Sequence, residues 1–104
     1  MIIAGLLLYR RTERLKIENQ HKENIEKMRW DHEIRMKELE CQEEMEIRKM
    51  NEREKNNQRE HDLLLIKIKQ KYQVERVRMD HEFQIKMMQE EYKYKEKMMM
   101  LDNN

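Results

Sequence analysis

The sequence has almost none of the residues that turn a protein backbone. Its 104 residues include no proline and a single glycine, Gly5. Compact domains of this length use several of each, because proline fixes turn geometry and glycine reaches backbone conformations that other residues avoid. From Leu6 onward neither residue interrupts the chain. We therefore do not expect a core enclosed by several short elements.

Other missing residues exclude several classes of chemistry. Cys41 is the only cysteine, so an internal disulfide and a cysteine-based metal site are both excluded. Serine is absent and Thr12 is the only threonine. Phosphate loops, dinucleotide fingerprints and nucleophile elbows all need glycines that this chain lacks. We expect no enzyme activity, no cofactor and no metal site.

The charged residues are numerous but balanced in sign. They make up 43% of the chain, with 23 Lys and Arg against 22 Asp and Glu, for a net charge of +1. A nucleic-acid-binding protein would carry a basic excess along one side. An acidic disordered tail would carry the opposite excess. We therefore expect protein partners, and neither nucleic acid nor a small-molecule substrate.

What the chain does contain is typical of helix. Good helix formers fill the sequence from about residue 6 to residue 101. Apolar residues recur every eleven positions, and eleven residues complete close to three helical turns, so they line one side. We call this set the 11-residue stripe. Its members are Leu6, Ile17, Met28, Leu39, Met50, His61, Tyr72, Phe83 and Tyr94, and only His61 is not plainly apolar.

The second half of the chain has a further apolar set on roughly the opposite side. A two-stranded coiled coil needs only one seam, so two apolar sides indicate a higher oligomer or a helix held between partners. We predict that the apolar members of the stripe from Ile17 onward, without His61, and this second set form helix-packing interfaces. The second set consists of Leu63, Ile66, Val74, Val77, Ile85 and Met88.

The predicted fold is all-α, as a single long amphipathic helix that packs as a coiled coil or as a strut in an assembly. Residues 10–56 would carry one apolar face, residues 57–101 two faces, and residues 102–104 a frayed tail. The alternative is a helical hairpin that turns near Asn56-Asn57, because asparagine tolerates turns. The lack of glycine or proline at that corner favours the continuous helix.

A nine-residue segment occurs twice, as RWDHEIRMK at residues 29–37 and as RMDHEFQIK at residues 78–86. The midpoint between the copies falls between Asn56 and Asn57, so a hairpin would place them side by side. Neighbouring helical residues point about 100° apart, so Asp31 and Glu33 cannot join His32 at one ion. We interpret the repeated histidines as interface residues.

The N-terminal residues 1–9, MIIAGLLLY, are apolar and are followed by RRTER. As a helix they rise about 12–14 Å, too little to cross a hydrocarbon core of about 30 Å. The basic residues follow the apolar run, whereas in a secretory signal they precede it. We predict an anchor that enters one leaflet, fills a partner's groove or belongs to a longer membrane segment. Its residues are Ile2, Ile3, Leu6, Leu7, Leu8, Tyr9, Arg10 and Arg11.

These observations favour a structural or assembly protein within a larger complex, with a virion and a membrane complex as candidate settings. The alternative is a membrane-surface tether or regulator that recruits a soluble partner through its C-terminal half. Expected partners are further copies of the chain or a larger complex, and a membrane surface through residues 1–14. The basic residues after the apolar segment favour a cytoplasmic side for the helical body, in a membrane-associated or assembled state.

Overall fold

A computed structural model describes residues 2–103 and contains two α-helices joined by a short turn. Helix α1 runs from Ile2 to Arg53 and helix α2 from Gln58 to Asn103. The all-α prediction is confirmed, and the helices form the hairpin alternative in place of the single continuous helix. The outermost residues of the predicted anchor and tail, Met1 and Asn104, lie outside the described residues.

The break between the helices is capped by hydrogen bonds at both ends. The Glu54 amide donates to the Met50 carbonyl over 3.0 Å, which completes the last turn of α1. At the start of α2, the Glu60 amide donates to Oδ1 of Asn57 over 3.3 Å, and the His61 amide donates to the Asn57 carbonyl over 3.0 Å. Asn57 is therefore the N-cap residue of α2.

The turn forms without glycine or proline. None of residues 2–103 has a positive φ angle, so the corner uses backbone conformations that are open to any residue. The preference for a continuous helix assumed a corner that needs glycine or proline. The hairpin forms instead because the corner needs no special residue, and because the two helices can bury their apolar sides against each other.

Contacts divide the described residues into two units, each containing part of both helices. We call residues Asp31–Glu82 the turn unit. Its helices are antiparallel, since Glu43 of α1 pairs with Arg76 of α2 while His32, earlier on α1, meets Asp80, later on α2. Four buried residues form its core and four half-buried ones pack against them. The buried ones are Leu39, Met50, Ile68 and Tyr72, packed by Ile47, Leu64, Leu65 and Met79.

The second unit, which we call the end unit, contains residues 2–30 and 83–103 of the described chain. Its helices are also antiparallel. Arg14 of α1 pairs with Asp102 of α2 over 2.8 Å, and His21 meets Glu90 over 3.2 Å. Asp102 and Asn103, which belong to the predicted tail, continue α2.

Candidate interaction surfaces

At the edge of the core in the turn unit, Tyr72 forms a hydrogen bond with the carboxylate of Glu46. The Tyr72 ring is buried, and its hydroxyl donates to Oε2 of Glu46 over 2.5 Å. Lys71 Nζ lies 3.3 Å from the same oxygen. The Tyr72 hydrogen bond lowers the pKa of Glu46, with a further contribution from Lys71 and against a smaller effect of desolvation. The same bond raises the pKa of Tyr72, so the pair favours a neutral phenol beside a carboxylate.

Further ionic contacts hold the helices of the turn unit together. Arg76 of α2 pairs with Glu43 of α1, whose side chain is largely buried. Nε2 of His32 lies 3.0 Å from Oδ1 of Asp80. His32 belongs to the first copy of the repeated segment and Asp80 to the second. The hairpin therefore brings a residue of each copy together, as the alternative prediction required.

In the end unit, one histidine of α1 meets two carboxylates of α2. Nδ1 of His21 lies 3.2 Å from Glu90 and Nε2 lies 3.0 Å from Glu91, while the ring stacks on Tyr94 at a centroid distance of 4.2 Å. Asn24 donates to Oε1 of Glu90 over 2.9 Å. The pKa of Glu90 is lowered chiefly by the Asn24 bond and further by His21, against desolvation. The cluster sets the helix register of this unit by matching donors to acceptors.

The outer side of α2 in the turn unit carries apolar side chains that α1 does not cover. Leu63, Ile66, Val74 and Val77 are between 52% and 66% exposed. They belong to the second apolar set and lie away from the buried Ile68 and Tyr72. Branched aliphatic residues repeated over several turns of one exposed helix face are typical of a surface that packs on another helix.

In the end unit α2 also exposes apolar residues, at Ile85, Met88, Tyr92 and Met99. An open groove along this side is lined by three of them together with Gln89 and Lys93. Each of Ile85, Met88 and Met99 lies eleven or twenty-two positions after a member of the second apolar set in the turn unit. The same 11-residue spacing is therefore present in the sequence of both units.

The third surface is the first turns of α1, residues 2–9, which we call the N-terminal segment. All its apolar side chains are exposed, from 57% at Leu6 to 83% at Ile2. Since Arg14 pairs with Asp102, the N-terminal segment lies beyond the end of α2 at Asn103. Within residues 2–103, no part of α2 therefore covers this apolar surface.

The 11-residue stripe lies where the two helices meet within each unit. Leu39, Met50 and Tyr72 are buried, five further members are half-buried, and Leu6 is exposed. The half-buried members are Ile17, Met28, His61, Phe83 and Tyr94. The second apolar set stays exposed throughout. Its role, like that of the anchor residues, remains a prediction.

Sequence reasoning missed the polar contacts that fix the helix register. Glu46, Glu90 and His21 are polar residues in a chain rich in such residues, and nothing in their spacing marks their partners. The cap of α2 had a usable signal. Asn57 followed three positions later by Glu60 resembles the pattern that starts many helices.

Comparison with protein-family models, curated proteins and solved structures finds no match to this chain. Within residues 2–103 no group of three or more His, Cys, Asp or Glu side chains is arranged to hold a metal ion. In the same part of the chain, neither helix has an apolar stretch long enough to cross a membrane.

Proposed function

We propose that this protein is a structural assembly protein, in which a helical hairpin packs on further copies of itself through the outer side of α2. The observation that carries this proposal is the exposed apolar set of the turn unit, Leu63, Ile66, Val74 and Val77. Exposed apolar side chains at random positions are normal, whereas a regular row on one helix face favours association.

The spacing of this row supports a second copy as the partner. With Gln70 included, the positions 63, 66, 70, 74 and 77 are separated by three, four, four and three residues. The pattern reads the same in both directions, so two antiparallel α2 helices would place Leu63 opposite Val77 and Ile66 opposite Val74. A two-fold interface requires such a self-complementary surface.

The outer side of α1 lacks a comparable row. Beyond the N-terminal segment, its exposed large apolar residues are Leu15, Trp30, Ile34 and Met45. Only Trp30 and Ile34 lie on successive turns, and the other two are at least eleven positions from them. A helix that is apolar on one side suits a simple hairpin, and a helix that is apolar on both sides suits the middle of a larger bundle. In the proposed assembly α2 would lie between α1 and the α2 of the second copy.

Light scattering after size-exclusion chromatography tests the proposal. We expect the wild-type chain to form dimers or higher oligomers in a concentration-dependent manner. The variant with Val74→Glu and Val77→Glu should be monomeric with an unchanged helical circular dichroism spectrum. Met45→Glu, an equally exposed apolar residue on α1, is the control and should leave the oligomer intact. A wild-type chain that stays monomeric at every concentration would overturn self-assembly.

A further inference from the structure

We propose that the N-terminal segment inserts into one leaflet of a membrane that contains anionic lipid. This inference does not rest on the proposed self-assembly, because the N-terminal segment belongs to α1 whereas the proposed self-assembly surface belongs to α2. Two properties favour lipid as the surroundings of this segment: the distribution of its apolar side chains, and the aromatic and basic residues that follow them.

The apolar side chains of the N-terminal segment surround the helix. Successive residues point about 100° apart, so Ile2, Ile3, Leu6 and Leu7 span an arc of about 140°, and Leu8 projects from the other side beside Ala4. Their exposed fractions of 57% to 83% leave no protected face. A single neighbouring helix would cover only one side and leave the others in water. A hydrocarbon phase covers all sides at once, which is the arrangement this surface requires.

The N-terminal segment is helical and ends at an aromatic residue. Tyr9, 61% exposed, follows the aliphatic residues at the depth where tyrosine prefers the boundary between lipid and water.

The charges that follow fit anionic headgroups. Arg10 and Arg11 are exposed and come directly after Tyr9. Arg14 follows one turn later and is 52% exposed although it pairs with Asp102. Arginines next to an inserted apolar segment bind anionic lipid, each strengthening membrane binding several-fold.

Vesicle binding by the full chain tests the inference. We expect the chain to float with vesicles of phosphatidylcholine and phosphatidylserine, and to bind pure phosphatidylcholine vesicles more weakly. Replacing Arg10 and Arg11 by Gln should weaken binding to the anionic vesicles on the order of tenfold. A chain that does not bind either vesicle would overturn the inference and leave a protein groove as the occupant.

Paired variants show whether the chain binds vesicles through the N-terminal segment or through the exposed apolar side of α2. Leu7→Gln with Leu8→Gln should abolish flotation, while the matched change Val74→Gln with Val77→Gln should leave it intact. Circular dichroism should show both variants helical, since neither pair lies between the helices. Leu7→Trp provides a depth probe, and its fluorescence should shift to the blue on vesicle binding. The opposite pattern among the paired variants would contradict the proposal.

Discussion

Tyr72 buries its ring in the core of the turn unit and directs its hydroxyl to Glu46 at the edge of that core. A hydrogen bond to a charged acceptor typically contributes about 1.5–3 kcal/mol when it is well buried. Here the Glu46 side chain is 37% exposed, so solvent competes for the carboxylate. The contact is therefore worth less than that range, but it orients both side chains at the helix interface.

Tyr72→Phe removes the hydroxyl and keeps the ring. We expect the free energy of unfolding to fall by about 1 kcal/mol, because the core packing persists while the bond is lost. Urea denaturation followed by circular dichroism measures the change. Tyr92→Phe is the matched control, since Tyr92 is exposed on the outer side of α2, and it should have no measurable effect. Equal effects of the two changes would contradict the assigned role of the Tyr72 hydroxyl.

The two carboxylates with lowered pKa values make folding sensitive to acid. Glu46 and Glu90 hold their protons less tightly in the folded chain than in the unfolded chain. Their contribution to stability is present above the ordinary glutamate pKa and is lost as the pH falls through the lowered folded values. Glu90 contributes at the interface of the end unit and Glu46 at that of the turn unit.

Glu90→Gln should therefore reduce the acid sensitivity. We expect the melting temperature of the wild type to fall as the pH drops below about 4, and the variant to show a smaller fall. At neutral pH the variant should be less stable than the wild type, because His21 and Asn24 lose a charged partner. Thermal melts across this pH range measure both effects. Glu44→Gln on the exposed side of α1 should keep the wild-type pH dependence.

At the scale of elements, the hairpin depends on a short cap between two long helices. The Asn57 side chain accepts a hydrogen bond from the Glu60 amide at the start of α2. Without such an acceptor, an amide in the first turn of a helix has no partner within the helix. Asn57 therefore favours a new helix start over continuation of α1.

Asn57→Ala tests the cap directly. We expect a loss of about 1 kcal/mol in the free energy of unfolding, the usual effect of removing an asparagine N-cap. Alanine also favours helix more than asparagine does, so the same change lowers the free-energy cost of continuing the helix through the turn. Asn56→Ala, one position earlier in the turn, is the control. If both substitutions had the same effect, the cap would not be the feature that defines the start of α2.

Much of this element structure could be predicted from the sequence. The 11-residue stripe contains three of the four buried residues, Leu39, Met50 and Tyr72, whereas the second set, predicted to pack against a helix, is exposed in this chain. The stripe could not distinguish a hairpin from a continuous helix. Its spacing continues from Met50 to His61 across the turn, so both arrangements give the same pattern. The contacts of His21 with Glu90 and Glu91 could not be predicted, because they depend on the register between the two helices.

At the scale of the whole molecule, the apolar stripe from Ile17 onward is buried or half-buried within the chain itself. Each unit has an interface between α1 and α2, and the core residues of the turn unit come from both helices. A continuous helix would leave the stripe uncovered, whereas the hairpin leaves exposed the outer side of α2 and the N-terminal segment. The self-assembly and the membrane attachment that we propose therefore involve different surfaces of the chain.

Cross-linking distinguishes a hairpin from an antiparallel dimer of continuous helices, which would bury the same stripe. Arg14 and Asp102 lie 88 residues apart in sequence, yet their side chains are in contact and both are exposed. In a continuous helix the same two residues would be about 130 Å apart. With Cys41→Ser, Arg14→Cys and Asp102→Cys combined, a short bismaleimide at low protein concentration should link the thiols within one chain. Denaturing electrophoresis should then show a monomer of increased mobility, and the variant without Asp102→Cys should lack this product. A cross-linked dimer as the main product would indicate that the helices pair between chains.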